Sequence, residues 1–397
     1  MKSGVRIILL LTCISLLYFI STAIMLLWSQ IDYYKNINER IQTAFSSEPG
    51  SPEPDMTLMT HRMITSDIQS GIVNPENVKR AFSHTNGYFK EVKATCLQDN
   101  IKNTEDYLSC ANKILGNHFY YYPARETASA WAGHHSDCDL NVYLLLDALQ
   151  IFNKSASIVY TPGHAFLTWT EAQDGRSVWW ETTFDENHGN IADLSNNELY
   201  MKTLAPFYYQ PQSADFAEHF YMSVVIFNSL KPEERKKKAP QISQRYPKNP
   251  LVEDILYEQI TSLTPSDIEK IKSRLNIDVS STTKKYLLAN YYMKQGDKDN
   301  ADKYISKIDI DSCGKECQKI RKQTSTVDKL WFDISDLMNK KALKNQYGVF
   351  PIDKRKYPIT DIKKHVYGMA IILVIILTLR GARALYSDLK PVRTREK

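Results

Sequence analysis

The stretch IILLLTCISLLYFISTAIMLLW, Ile7 to Trp28, carries no charged side chain. An uncharged run of that length can cross a bilayer as a helix, and Trp28 stands where an interfacial anchor belongs. A cleaved signal peptide has a much shorter apolar core, so the run reads as an uncleaved anchor. A second run, VYGMAIILVIILTL, covers Val366 to Leu379. Extended through Arg380 and Arg383 to Tyr386, it spans if both arginines snorkel; the alternative is a buried or membrane-surface helix. Lys2 and Arg6 precede the first run, which argues for a cytoplasmic N-terminus. Two spans return the C-terminus to the same side, where Lys390, Arg393, Arg395 and Lys397 form a basic tail. Lys354, Arg355, Lys356, Lys363 and Lys364 flank the other side of the second run and weaken its vote. The expectation is a two-pass protein of the bacterial inner membrane, with the lipid bilayer as a partner and residues 29–365 in the periplasm.

The cysteines bear on that placement. The chain holds 6, and Cys13 lies in the first apolar run. Cys96 with Cys110, and Cys313 with Cys317 in CGKEC, are plausible local pairs, which an oxidising compartment favours. Spacing alone does not establish a disulfide, because the Cα atoms must also lie close. Such pairing leaves Cys138 alone in the central block, and an unpaired exported cysteine is a candidate reactive thiol. The competing reading keeps every thiol reduced, with Cys138 one buried sulfur among several. The formal net charge of +5 is small for 397 residues and spread in short clusters, so nothing points to nucleic acid as a partner.

Composition shifts mark the organisation. Residues 1–30 form the N-terminal anchor, and 31–59 a linker that includes the Ser/Pro/Glu stretch FSSEPGSPEP. Residues 60–225 read as one α+β domain. In it SASIVYT and HAFLTWT are strands separated by Thr-Pro-Gly. EAQDGRS carries the Asp174-Gly175 hairpin signal, and VWWETTF is the returning strand. From 226 to 350 Leu, Ile, Ala and Tyr recur at helical spacing. Tyr286 to Ile308 reads as helix, Gly-Asp turn and helix, with Ala301 and Tyr304 inward, similar to a tetratricopeptide hairpin. KPEERKKK reads as a solvated helix face. Residues 351–365 are a linker, 366–386 the second span and 387–397 a basic cytoplasmic tail.

HHSDCDLNVYLLLDAL, His134 to Leu149, opens a polar cluster directly into an amphipathic helix. Cys138 at the junction is open to four readings: buried core thiol, half of a disulfide, metal ligand or nucleophile. A thiol attacks as the thiolate, whose pKa falls at a helix N-terminus and beside a histidine. Ser136 or Asp137 is the expected N-cap. Asp137 and Asp139 oppose this field, since their charges raise the pKa of the thiol between them. His164 begins a strand after Pro-Gly, and Glu181 lies on the next strand. Opposed antiparallel Cβ atoms are roughly 5 Å apart, so the carboxylate is placed to fix the imidazole tautomer. His134, His135, Asp137, Cys138, His164 and His188 have the ligand chemistry for zinc, but no fixed-spacing zinc motif joins them.

Cys138 with LNVYLLLDAL, PGHAFLTW with His164 and WWETTF with Glu181 resemble, in that order, the transglutaminase-like superfamily of papain-like fold. Within it they are most similar to bacterial membrane-anchored proteins with C-terminal tetratricopeptide-like helices. The likeness covers about residues 128–190. It implies an α+β papain/transglutaminase-like domain followed by an all-α helical-hairpin domain, the two flanked by transmembrane helices. It also implies Cys138 as nucleophile, His164 as general base and acid, and Glu181 as orienter. Trp131 is the candidate to complete the substrate oxyanion site beside the Cys138 N–H, with a core tryptophan as the plainer reading. The activity implied is thiol-mediated hydrolysis or acyl transfer at an amide of a peptide, protein or cell-wall peptide outside the cytoplasm. It needs no metal and no organic cofactor. The alternative is an inert membrane-tethered scaffold or peptide-binding protein that recruits a protein partner through its helices.

Overall fold

The computed structural model describes residues 35–333, apart from 98–100, 102, 125, 172–174, 185–186, 193–206, 248, 261, 309–312 and 331, together with 344–345 and 348–349. The chain divides into two units, residues 38–341 and residues 1–37 with 342–397. In the latter the description covers residues 35–37 and one antiparallel pair, Lys344 opposite Val349 and Asn345 opposite Gly348.

Helix α1 covers residues 35–45, followed by α2 (Met59–Gln69), α3 (Pro75–Cys96), α4 (Thr104–His118) and α5 (Thr127–Ala132). The centre of the unit is α6, Cys138–Ile151. Its Leu140, Val142, Tyr143, Leu144, Leu145, Leu146, Ala148 and Leu149 are all buried. A helix apolar on most of its faces has to be enclosed, and α2, α3, α4 and the strand His164–Thr170 pack on it. Each such Leu contributes about 1.5–3 kcal/mol through burial. Two buried side chains of α6 are polar: Asn141, which donates to Asn187 Oδ1 at 2.7 Å, and Asp147. The Asp147 carboxylate takes the Met59 N–H at 3.0 Å, the Thr60 N–H at 2.8 Å and the Thr60 hydroxyl at 2.6 Å. It caps α2 from another helix, since the N-cap residue Leu58 has no side chain for the task. A disulfide between Cys96 and Cys110 ties the end of α3 to α4.

Short strands β1 (Tyr120–Tyr121) and β2 (His135–Ser136) run parallel and lead into α6. Beyond it come β3 (Ser157–Thr161), β4 (His164–Thr170), β5 (Ser177–Glu181), β6 (Asn190–Ile191) and β7 (Pro211–Gln212). They form one antiparallel sheet in the order β6-β5-β4-β3-β7. Between β3 and β4 only Pro162 and Gly163 intervene, Thr161 being paired with His164. Gly163 sits at φ +74°, the left-handed value a tight Pro-Gly turn demands at its second position. Residues 172–174 of the expected β4–β5 turn lie outside the described residues.

Helix α7 (Ala214–Ser223) returns to α2, where Arg62 grips Glu218 through Nε at 2.7 Å and an Nη nitrogen at 2.6 Å. Helices α8 (Pro232–Arg245), α9 (Pro250–Glu258), α10 (Pro265–Ile277), α11 (Thr282–Lys294), α12 (Lys298–Ile305) and α13 (Lys315–Thr324) follow. Helices α11 and α12 pack on one another, with Leu288, Ala289, Ala301 and Ile305 fully buried. The Cys313–Cys317 disulfide sits at the start of α13.

Two expectations from the sequence are corrected. Among the described residues no helix is long and apolar enough to cross a membrane. The longest, α3, has 22 residues but carries Glu76, Lys79, Arg80, Lys90, Glu91 and Lys93, and such a face belongs in water. The runs at 7–28 and 366–386 lie outside the described residues, as do the segments 351–365 and 387–397. The architecture of a papain/transglutaminase-like domain flanked by two transmembrane helices therefore gives way to a mixed structure, in which helices surround α6 and a five-stranded antiparallel sheet covers it. The two-pass inner-membrane placement built on those spans falls with it. Two disulfides fit an oxidising environment.

Candidate functional site

Helix α6 begins at Cys138 because Asp137 stops the preceding strand and caps it. Asp137 has extended backbone angles, and its side chain accepts the Leu140 N–H at 3.4 Å and the Ala124 N–H at 2.9 Å. Cys138 is the free cysteine among the described residues and is only 7% exposed. Its S–H donates to Asp139 Oδ1 at 3.5 Å. The Ala165 N–H is directed at the same sulfur, which places the thiol against the residue next to His164. Burial first, then the Asp139 and Asp137 carboxylates, hold the thiol far above its ordinary pKa; the Ala165 N–H acts the other way, and Glu181 adds to the rise.

His164 opens β4 directly after the Pro-Gly turn, and Glu181 closes β5. Their side chains, each 11% exposed, meet with Nε2 of His164 2.6 Å from Oε2 of Glu181. They are not directly opposed. Leu167 faces Trp180, so continuing the ladder sets Phe166 against Glu181 and places His164 on the diagonal, a gap the longer glutamate side chain spans. The other carboxylate oxygen, Oε1, accepts the Thr183 N–H at 3.0 Å and its hydroxyl at 2.8 Å. Burial pushes the Glu181 carboxyl up. The hydrogen bond and charge of His164, with the two Thr183 donors, overcome it and leave the group below its ordinary value. An ionised Glu181 accepts only, so Nε2 carries the proton and Nδ1 keeps the basic lone pair.

Asp139 is half-buried beside the thiol. Burial raises its carboxyl, against which His164 and the Cys138 hydrogen bond act. Trp131 lies in the core, fully buried, with its indole N–H unpartnered. The histidines of the opening cluster are dispersed. His134 stacks on His84 with centroids 3.6 Å apart, and His135 lies against Tyr120 and Tyr122. Gly116 packs against the ring of His188. Among the described residues no three of His, Cys, Asp or Glu converge on a metal position.

The structure joins His164 directly to Glu181 and brings the Cys138 sulfur to the Ala165 N–H, one residue from His164. Asp139, Thr183 and the Ala165 N–H belong to the same cluster and carry no motif of their own. The doubled threonine after Glu181 was the one visible signal for Thr183. A sulfur at a helix start, a base with a free lone pair and a carboxylate behind it are the parts of nucleophilic acyl transfer. Asp137 takes the Leu140 and Asn141 N–H groups, so an oxyanion donor in the first turn of α6 would have to be the Cys138 or Asp139 N–H. No known family matches the chain, and no curated protein and no solved structure matches it either.

Proposed function

We propose that the chain is a cysteine hydrolase or acyltransferase of transglutaminase-like kind, acting on amide bonds of a peptide, a protein or a cell-wall peptide. The observation that carries this reading is the His164–Glu181 pair at 2.6 Å beside a free cysteine that opens a helix. The resting sulfur is a thiol, so His164 Nδ1 takes its proton as the C–S bond forms. The substrate carbonyl becomes an oxyanion facing the first turn of α6. His164 then gives the proton to the leaving amine, and an acyl-Cys138 remains. Water resolves it to acid and free thiol, or a second amine resolves it to a new amide, with His164 as base again. Glu181 keeps the ring in its tautomer and steadies the imidazolium.

One observation favours a second reading, a non-catalytic peptide-binding or scaffold protein: the thiol is 7% exposed and set among carboxylates. An activated ester separates the two. Mixing the full chain with p-nitrophenyl acetate is expected to release a stoichiometric burst of nitrophenolate and leave one acetyl group on Cys138. Cys138→Ala removes the burst. A folded wild-type protein with no acetyl-Cys138 overturns catalysis in favour of the scaffold.

A further inference from the structure

Resting on the reading of Cys138 as nucleophile, we propose that Asp139 is a positioning residue that holds the nucleophile in check: its carboxylate retains the thiol hydrogen and competes with the sulfur for His164. Two contacts and one electrostatic interaction carry it. The thiol donates to Asp139 Oδ1 at 3.5 Å. His164 is the charge that acts on Asp139 from the facing strand. Its Nε2 is already committed to Glu181, so a proton gained at Nδ1 leaves one imidazolium among several carboxylates and the sulfur.

Among the described residues, the groups besides His164 that sense the Asp139 charge are not cations. Besides Cys138 and His164, Tyr143 on its own helix and Tyr160 on β3 sense its charge, and both are buried phenols pushed upward, first by burial. Tyr221 of α7 lies behind Tyr143, with centroids 5.8 Å apart. Around the sulfur stand Asp137 on the same turn and Glu181 on β5. Asp137 is occupied as the cap and Glu181 as the orienter, each with backbone N–H partners. Asp139 has the thiol as its hydrogen-bonding partner and lies partly open to solvent. Neutralising it removes the acceptor of the S–H and a negative charge next to the sulfur, and both changes favour the thiolate–imidazolium pair.

The test is the pH dependence of iodoacetamide alkylation at Cys138 in the full chain, read by peptide mass spectrometry. Wild type is expected to react more slowly near pH 7 than an unstructured thiol. Asp139→Asn is expected to react at least about tenfold faster there, with its midpoint lowered by about one pH unit or more. Adding His164→Ala should remove most of that gain, which a change confined to packing does not produce. An unchanged or slower Asp139→Asn, or a gain that survives His164→Ala, overturns the proposal. If the asparagine variant does not fold, Asp139→Ser is read in the same way. The wild-type profile decides alone as well, because a midpoint at or below that of a free thiol contradicts the restraint. Alkylation is independent of turnover: an accelerated Asp139→Asn with no acetylation by the ester sinks catalysis and keeps the restraint. An intact acetyl burst with unaltered alkylation does the reverse.

Discussion

Nε2 of His164 and Oε2 of Glu181 lie 2.6 Å apart, and the second oxygen of that carboxylate is fixed by two donors from Thr183. The ring is therefore locked with Nδ1 as its only free basic position. Glu181→Gln keeps the size but replaces the charge and presents an amide of ambiguous orientation. Acetylation of Cys138 by p-nitrophenyl acetate is expected to slow by about 100-fold, within the range ascribed to a positioned general base. A rate within about twofold of wild type would mean that Glu181 does not orient the ring.

His61 predicts a specific acid sensitivity. Its Nδ1 accepts the Asp55 N–H at 2.8 Å and its Nε2 meets the Thr85 hydroxyl at 2.9 Å, in full burial. Burial depresses it to a pKa of about 4, against which Asp55 acts. The folded state resists a proton that the unfolded chain accepts. The stability tied to neutral His61 is thus complete above about pH 6.5 and is lost as the pH falls toward about 4, by roughly 3 kcal/mol. Denaturant melts of wild type and His61→Asn from pH 7 to 4 should show the wild-type advantage shrinking by that order. A constant gap contradicts it, because other titrating groups are shared by both proteins.

Asp147 caps α2 with three hydrogen bonds from a buried position. Asp147→Ala strands two backbone N–H groups and one hydroxyl, at a cost of about 2–4 kcal/mol in urea melts. A loss under about 1 kcal/mol would show that α2 is capped by other means.

The two disulfides close loops of unequal size, with sequence separations of 14 and 4. Chain entropy assigns about 3 kcal/mol to the Cys96–Cys110 crosslink and about 2 kcal/mol to Cys313–Cys317. Paired Cys→Ala variants, compared by thermal melting, should rank in that order. The opposite ranking would place the stabilisation in the native contacts instead.

Local chemistry made much of this site legible from sequence. Short polar side chains before an apolar helix narrowed the cap to Ser136 or Asp137 and put Cys138 at the helix start; the structure gives the cap to Asp137. Thr161-Pro162-Gly163-His164 marked the turn that starts β4 at the histidine. The cysteine spacings marked both disulfides. What escaped depends on distance along the chain or on register. Asp147 does not stand out from the rest of its helix in the sequence, since nothing at position 147 announces that it caps residues 59 and 60. Opposed strands suggested a direct His164–Glu181 pair, whereas the ladder sets them on a diagonal that only the longer carboxylate bridges. Asp139 showed the sign of its charge but not its hold on the thiol hydrogen. The membrane architecture rested on apolar length, an interfacial tryptophan and flanking basic residues, whereas the helices among the described residues are amphipathic or enclosed by other protein elements.

Acyl transfer at Cys138 requires His164 to act as its base. The direct measurement is the rate of acetyl transfer from p-nitrophenyl acetate to Cys138 in His164→Ala against wild type near pH 7, with folding checked by circular dichroism. A fall of about 100-fold or more is expected. Equal rates in the two proteins would contradict it and leave the sulfur as an ordinary buried thiol.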